Sequence, residues 1–115
     1  MADRRYVDDR AFAVARAQSL TRRGYGGGRV ALALRMAGID EADAAAARAE
    51  TDPQALDAAI RFAERRRLGP FASAPADRPA RNKALAAMLR AGHSLELAHL
   101  LLRCAPGELP EREND

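Results

Sequence analysis

The sequence predicts an all-α protein of tandem three-helix repeats, about six helices in an elongated array, and three observations carry that prediction. Alanine fills 28 of 115 positions, tryptophan is absent and β-branched residues are scarce, a composition that favours helix along nearly the whole chain. Apolar residues recur at helical spacing, most cleanly as Leu56, Ala59, Ile60 and Ala63 at i, i+3, i+4 and i+7. Residues 19–40, SLTRRGYGGGRVALALRMAGID, also have a faded copy in residues 87–106, AMLRAGHSLELAHLLLRCAP. Aligned on Gly24 and Gly92, an offset of 92 − 24 = 68, Leu20 meets Met88, Arg22 meets Arg90, Tyr25 meets His93, Leu34 meets Leu102 and Arg35 meets Arg103.

Each element follows from local chemistry. Residues 1–5 read as a charged lead-in, and the first helix is expected to start near Asp8 and Asp9, whose carboxylates suit a positive helix end. Its apolar side is Phe12, Ala13, Ala17 and Leu20; Arg22 and Arg23 suit its negative end, and Gly24 supplies the positive φ of a C-cap. A second helix is expected from Gly27 or Gly28 to Ala37, with Val30, Leu34, Ala31 and Ala37 inward, followed by Gly38 and by Ile39 folding back. Asp40 caps a third helix over residues 41–50, read as a spacer with a solvated acidic face.

Asp52 as N-cap and Pro53 at the first helical position start a fourth helix, which runs into Arg65, Arg66 and Arg67 and stops at Gly69 and Pro70. Residues 69–79, with three prolines, form a loop pinned by Leu68 and Phe71. The fifth helix covers about residues 79–90 with Leu85, Met88 and Leu89 inward. Ser94 caps the sixth, which buries Leu95, Ala98, Leu101, Leu102 and Ala105 before Pro106 ends it. The expected organisation is one repeat over residues 1–52, a second over 53–105, and an acidic disordered tail over 106–115.

The charge pattern narrows the function classes. Net charge is +3, distributed as +2 over residues 1–50, 0 over 51–77, +4 over 78–105 and −3 over 106–115. A basic helical surface suits nucleic acid or an acidic protein face. No apolar run reaches the roughly 20 residues that cross a bilayer, and no apolar leader opens the chain, so the default is a soluble cytoplasmic protein. The single Cys104 excludes an internal disulfide.

Reactive chemistry finds no foothold. His93 and His99 are six apart and Cys104 five further on, so no pair shares a helix face as metal ligands would. Cys104 lies near a helix end whose negative potential opposes a thiolate. Asp8 and Asp9 point about 100° apart on a helix and suit cap duty better than paired acid and base work. The glycines at 24, 26, 27 and 28 lack the preceding strand and the closing Gly-Lys-Ser or Gly-Lys-Thr of a phosphate loop. The expectation is no enzyme, no catalytic residue, no metal, no cofactor and no small-molecule substrate. What is left is binding by shape and charge through Arg22, Arg23, Arg29, Arg35, Arg65, Arg66, Arg67, Lys83, Arg90 and Arg103.

The order Tyr6-Val7-Asp8-Asp9, Phe12-Ala13, Arg23-Gly24, Val30 and Leu34, Gly38-Ile39, residues 59–67 and Leu85 through Gly92-His93-Ser94 resembles the RecX regulatory proteins. The resemblance covers about residues 6–103. It implies tandem three-helix repeats that bind the RecA recombinase filament along its groove and inhibit strand exchange and ATP hydrolysis without catalysis, with weak contact to single- or double-stranded DNA as a further expectation. The family's charged repeat surfaces carry the contact. Family members usually have another helical repeat upstream, which implies a shortened form here; the run Gly26–Gly28 is looser than usual and Ala91 stands where arginine is common. The alternatives are a helix-turn-helix type DNA-binding protein, reading a groove with the helix at residues 28–37 or 95–104, and a helical adaptor. Against groove reading, both helices present mostly Ala and Leu, with few donors for base edges.

Overall fold

A computed structural model describes residues 2–110, with side chains from residue 9 onward. Six α-helices succeed one another: α1 Ala2–Arg22, α2 Gly27–Met36, α3 Glu41–Thr51, α4 Ala55–Arg66, α5 Arg78–Arg90 and α6 Leu95–Leu102. Short 3₁₀ turns at Asp52–Gln54 and Gly69–Phe71 flank α4, and the described residues contain no strand. The array measures 54 × 31 × 19 Å with a Cα radius of gyration of 16.0 Å. A compact chain of this length would have about 13 Å. The all-helical, elongated architecture is therefore the one the composition and the repeat predicted.

Helix α1 is longer than expected. No Gly or Pro interrupts the chain before Gly24, so the helix begins at Ala2 and Asp8 and Asp9 lie within it, not at its positive end. The lead-in and the capping role assigned to these aspartates are thereby corrected; the side chain of Asp8 lies outside the described residues. Ala13, Ala17 and Leu20 are buried, but Phe12, turned about 100° from Ala13, is 50% exposed and leaves the inner face. Because the inner face of α1 is largely alanine, the alanines of α3 approach closely, and Ala44 and Ala47 are buried there. Helix α3 is thus the principal partner of α1, more than a spacer, while its carboxylates stay outward and Asp43 pairs with Arg10 at 2.9 Å. The Asp40 carboxylate accepts the Asp43 N–H as the expected cap. Val30 and Leu34 of α2 complete this core; Ala37 is exposed as the C-cap, and Ile39 N–H returns to the Leu34 carbonyl at 3.0 Å.

The N-cap expected at Asp52 is absent. Thr51 and Asp52 both keep right-handed helical dihedrals, so α3 runs on into the 3₁₀ turn, and the chain leaves the helical region only at Gln54, φ −99° and ψ 11°, before α4; Pro53 occupies an early position that tolerates it. Helix α4 buries Ala58, Ala59, Phe62 and Ala63 and stops at Arg66, three residues before Gly69. Arg67 takes the left-handed position at φ 58°, while Leu68 N–H closes on the Ala63 carbonyl at 2.9 Å. Leu68 and Phe71 pack against the core, pinning the loop as expected. Asp77 caps α5 through the Ala80 N–H, with Pro79 in the first turn.

Met88 is buried on α5, whereas Leu89, one residue round the helix, is 43% exposed. Ser94 caps α6 through the Leu97 N–H. Ala98 and Leu101 face inward; Leu95, about 90° from the centre of that face, is 54% exposed, and Ala105 is exposed because the helix has already ended at Leu102. Both leucines and Ala105 are corrections to the expected core. Two apolar clusters result, one within α1–α3 and one among α4–α6, and Tyr25 touches both. Of the acidic tail, residues 111–115 lie outside the described residues.

Candidate functional site

The two sequence-related turns meet each other. Helices α1 and α5 end alike: Tyr25 N–H bonds the Leu20 carbonyl and His93 N–H the Met88 carbonyl, with Gly24 at φ 93° and Gly92 at φ 96°. The chain then brings the turns into backbone contact, Gly26 N–H donating to the Ala91 carbonyl and Gly28 N–H to the Gly92 carbonyl, both at 2.9 Å. A Cβ on Gly26 would collide with the Gly92 carbonyl, and one on Gly92 would collide with the Arg29 backbone. The glycine run that costs helix propensity is thus the price of a side-chain-free seam. Gly92 does more than end α5 in the left-handed conformation, for the residue also forms one wall of that seam. By chain order the two turns differ, one joining the first and second helices of its group and the other the second and third.

His93 sits at the centre of this seam, 4% exposed. Its Nε2 lies 2.9 Å from the Gly24 carbonyl, which can only accept, so Nε2 carries the proton. Nδ1 is buried without a hydrogen-bond partner, and the ring lies 5.4 Å from that of Phe62. Burial holds the His93 pKa below its ordinary 6.5, with the Gly24 carbonyl acting in the opposite sense.

Arginines surround the seam. Arg65 donates to the Arg23 carbonyl at 2.6 Å, Arg61 to the Thr21 and Arg22 carbonyls at 3.3 Å, and Arg29 reaches the Arg90 carbonyl at 3.5 Å. Arg23 and Arg29 lie over the Tyr25 ring at 5.5 and 4.7 Å, and Arg66 lies over Phe62 at 5.0 Å. The Arg22, Arg23 and Arg90 carbonyls belong to helix ends, which leave such acceptors without internal donors, while the Thr21 carbonyl also accepts the Gly24 N–H. A carbonyl or ring partner orients a guanidinium without neutralising it, so the belt keeps its positive charge.

Of the basic residues singled out in the sequence, Arg23, Arg29, Arg65 and Arg66 bring their guanidiniums to this junction, while Arg22 and Arg90 contribute backbone carbonyls to it. Arg35 and Lys83 are exposed on α2 and α5 with no side-chain bond joining them to it, and Arg67 and Arg103 line a separate groove. Arg61 was not anticipated, although it lies one helical turn before Arg65 and shares its face. Nor was the buried role of His93, for which its alignment with the bridging residue Tyr25 was the available signal. Cys104 donates to the Leu100 carbonyl, and burial together with Glu108 pushes its thiol pKa up, away from thiolate character. Among the described residues there is no group of three or more His, Cys, Asp or Glu placed to hold a metal ion, and no helix long and apolar enough to cross a membrane.

The fold and this site define an all-helical protein that presents oriented, un-neutralised arginines at the meeting point of two helix groups. Residues 8–47, which take in most of α1, all of α2 and most of α3, match the family model described as RecX, second three-helix domain. No curated protein and no solved structure matches the chain significantly.

Proposed function

We propose that this protein is a noncatalytic regulator that binds the RecA recombinase filament and inhibits its strand-exchange and ATPase activities during DNA recombination and repair in the cytoplasm. The reading is carried by the match of residues 8–47 to a RecX domain. It is supported by the shape and the charge. The molecule is a rod 54 Å long, and the arginine belt lies between its two helix groups. The groups act as two repeats, residues 1–52 and 53–105, each contributing one flank to the contact.

Adding the protein at substoichiometric amounts to RecA assembled on single-stranded DNA tests the proposal. The expected outcome is a fall in ATP hydrolysis and in strand exchange. Replacing Arg22 and Arg90, whose guanidiniums make no hydrogen bond, ion pair or ring contact with the described residues, with alanine is expected to weaken that fall while leaving the melting temperature unchanged. Unaltered ATPase and exchange with the parent protein would refute the reading.

A further inference from the structure

A second site lies away from the junction. The loop of residues 72–77, the start of α5 and residues 102–106 enclose a groove of about 820 Å³. Its floor is small and apolar, made by alanines and prolines between Leu68 and Leu102, and Arg67, Arg81 and Arg103 line it. Asp77 is the acidic residue in the lining, and its carboxylate already accepts the Ala80 N–H.

Arg67 makes this groove more than a gap. Helices α1, α2 and α5 each end with glycine in the left-handed position, at Gly24, Gly38 and Gly92. Helix α4 ends in the same geometry with Arg67, which is the one non-glycine residue at positive φ among the described residues. A side chain there costs backbone energy that glycine would not. Nothing within the fold recovers it: the Arg67 guanidinium makes no hydrogen bond, ion pair or ring contact with the described residues. Arg103 is likewise without such a partner, and Arg81 reaches only the Ala76 carbonyl at 3.4 Å.

We infer that this groove docks an extended segment of a partner protein in which acidic and apolar residues alternate. An extended chain turns successive side chains to opposite sides. Apolar residues then meet the alanine and proline floor while carboxylates meet Arg67, Arg81 and Arg103. A sugar-phosphate strand would satisfy the arginines but leave the apolar floor unused, so the lining favours peptide. The site stands apart from the recombinase reading and does not depend on it.

The probe is a fluorescein-labelled decapeptide of alternating Glu and Leu, titrated with the full chain and followed by anisotropy. Saturable binding is expected, with at least a tenfold loss in both Arg67→Gly and Arg103→Ala. Arg67→Gly is also expected to raise the melting temperature, because it relieves the left-handed backbone; a variant that is more stable and binds more weakly marks a side chain kept for a ligand. No binding by the parent chain, equal binding by Arg67→Gly, or a lowered melting temperature in that variant would overturn the inference. So would equal binding of a Lys-Leu decapeptide, or displacement of the probe by a single-stranded oligonucleotide whose own binding depends on Arg67. A tenfold gain in probe affinity on ending the chain at Pro110 would identify the occupant as the chain's own acidic end and overturn a partner segment.

Discussion

Gly26 and Gly27 are adjacent and chemically identical, yet alanine at each is expected to change stability in opposite directions. Gly26 has φ −91° and ψ 176°, dihedrals that alanine adopts freely, so any cost of Gly26→Ala comes from space and not from backbone strain. Its Cβ would be driven into the Gly92 carbonyl and the His93 N–H. Relief requires the turns to part, which removes the Gly26–Ala91 and Gly28–Gly92 hydrogen bonds. Two such bonds contribute about 2 kcal/mol together, overpacking adds about 1–3 kcal/mol, and the smaller backbone freedom of alanine in the unfolded chain offsets about 0.4–1 kcal/mol. The expected destabilisation is about 2–5 kcal/mol. At Gly27 the nearest atom to a new Cβ is the Asp52 carboxylate at 4.0 Å, and the residue opens α2, so alanine there is expected to stabilise by about 0.5–1 kcal/mol. Urea titration followed by helical circular dichroism measures both; with an m-value of about 1.5 kcal/mol/M, the Gly26→Ala midpoint falls by roughly 1–3 M while that of Gly27→Ala rises. Equal midpoints for the two variants would refute backbone-to-backbone packing at the seam.

Acidification is expected to destabilise the protein through His93. Because burial depresses its folded pKa, the unfolded chain takes up the proton first, so the contribution is full above the unfolded value of 6.5 and is lost as pH falls below it. At one pH unit below that value the loss is at most about 1.4 kcal/mol, and a melting series from pH 7.5 to 5.5 is expected to be steeper for the parent than for His93→Phe. Gly24→Val is expected to destabilise by roughly 1 kcal/mol or more in thermal melts, since valine at φ 93° is strained and its side chain would also press on Arg65 and the Phe62 backbone. Ser94→Ala and Asp40→Ala are each expected to cost about 1 kcal/mol by loss of an N-cap, measured by urea titration. Arg65→Ala removes a 2.6 Å bond across the junction and is expected to cost about 1 kcal/mol in the same assay, its exposure keeping the value modest.

The helices were legible because their ends are written locally. Asp40 and Ser94 announced caps, Gly24, Gly38 and Gly92 announced left-handed ends, and Val30 with Leu34 announced a buried stripe. Misreadings arose where a residue's role depends on something distant. Asp8 and Asp9 look like helix-start residues, yet nothing upstream breaks the helix they were taken to begin. Asp52-Pro53 has the composition of a restart, yet the turn continues helical geometry through both residues. The arginines at 23, 29 and 65 were identifiable as basic candidates, but their assembly depends on two glycine turns 68 residues apart lying against each other, which the alignment revealed as kinship and not as contact. Arg67 stood in the sequence as one of three consecutive arginines at a helix end; its left-handed backbone is visible only in three dimensions.

Helix α3 runs into α4 through the turn at Asp52–Gln54, and the same two helix groups are fastened again at the glycine seam. Two fastenings, one covalent and one hydrogen-bonded, turn what would be a swivel into a bracket. The angle between the two arms is then set by the molecule itself, so a variant that loosens the seam should let the arms splay before either of them unfolds.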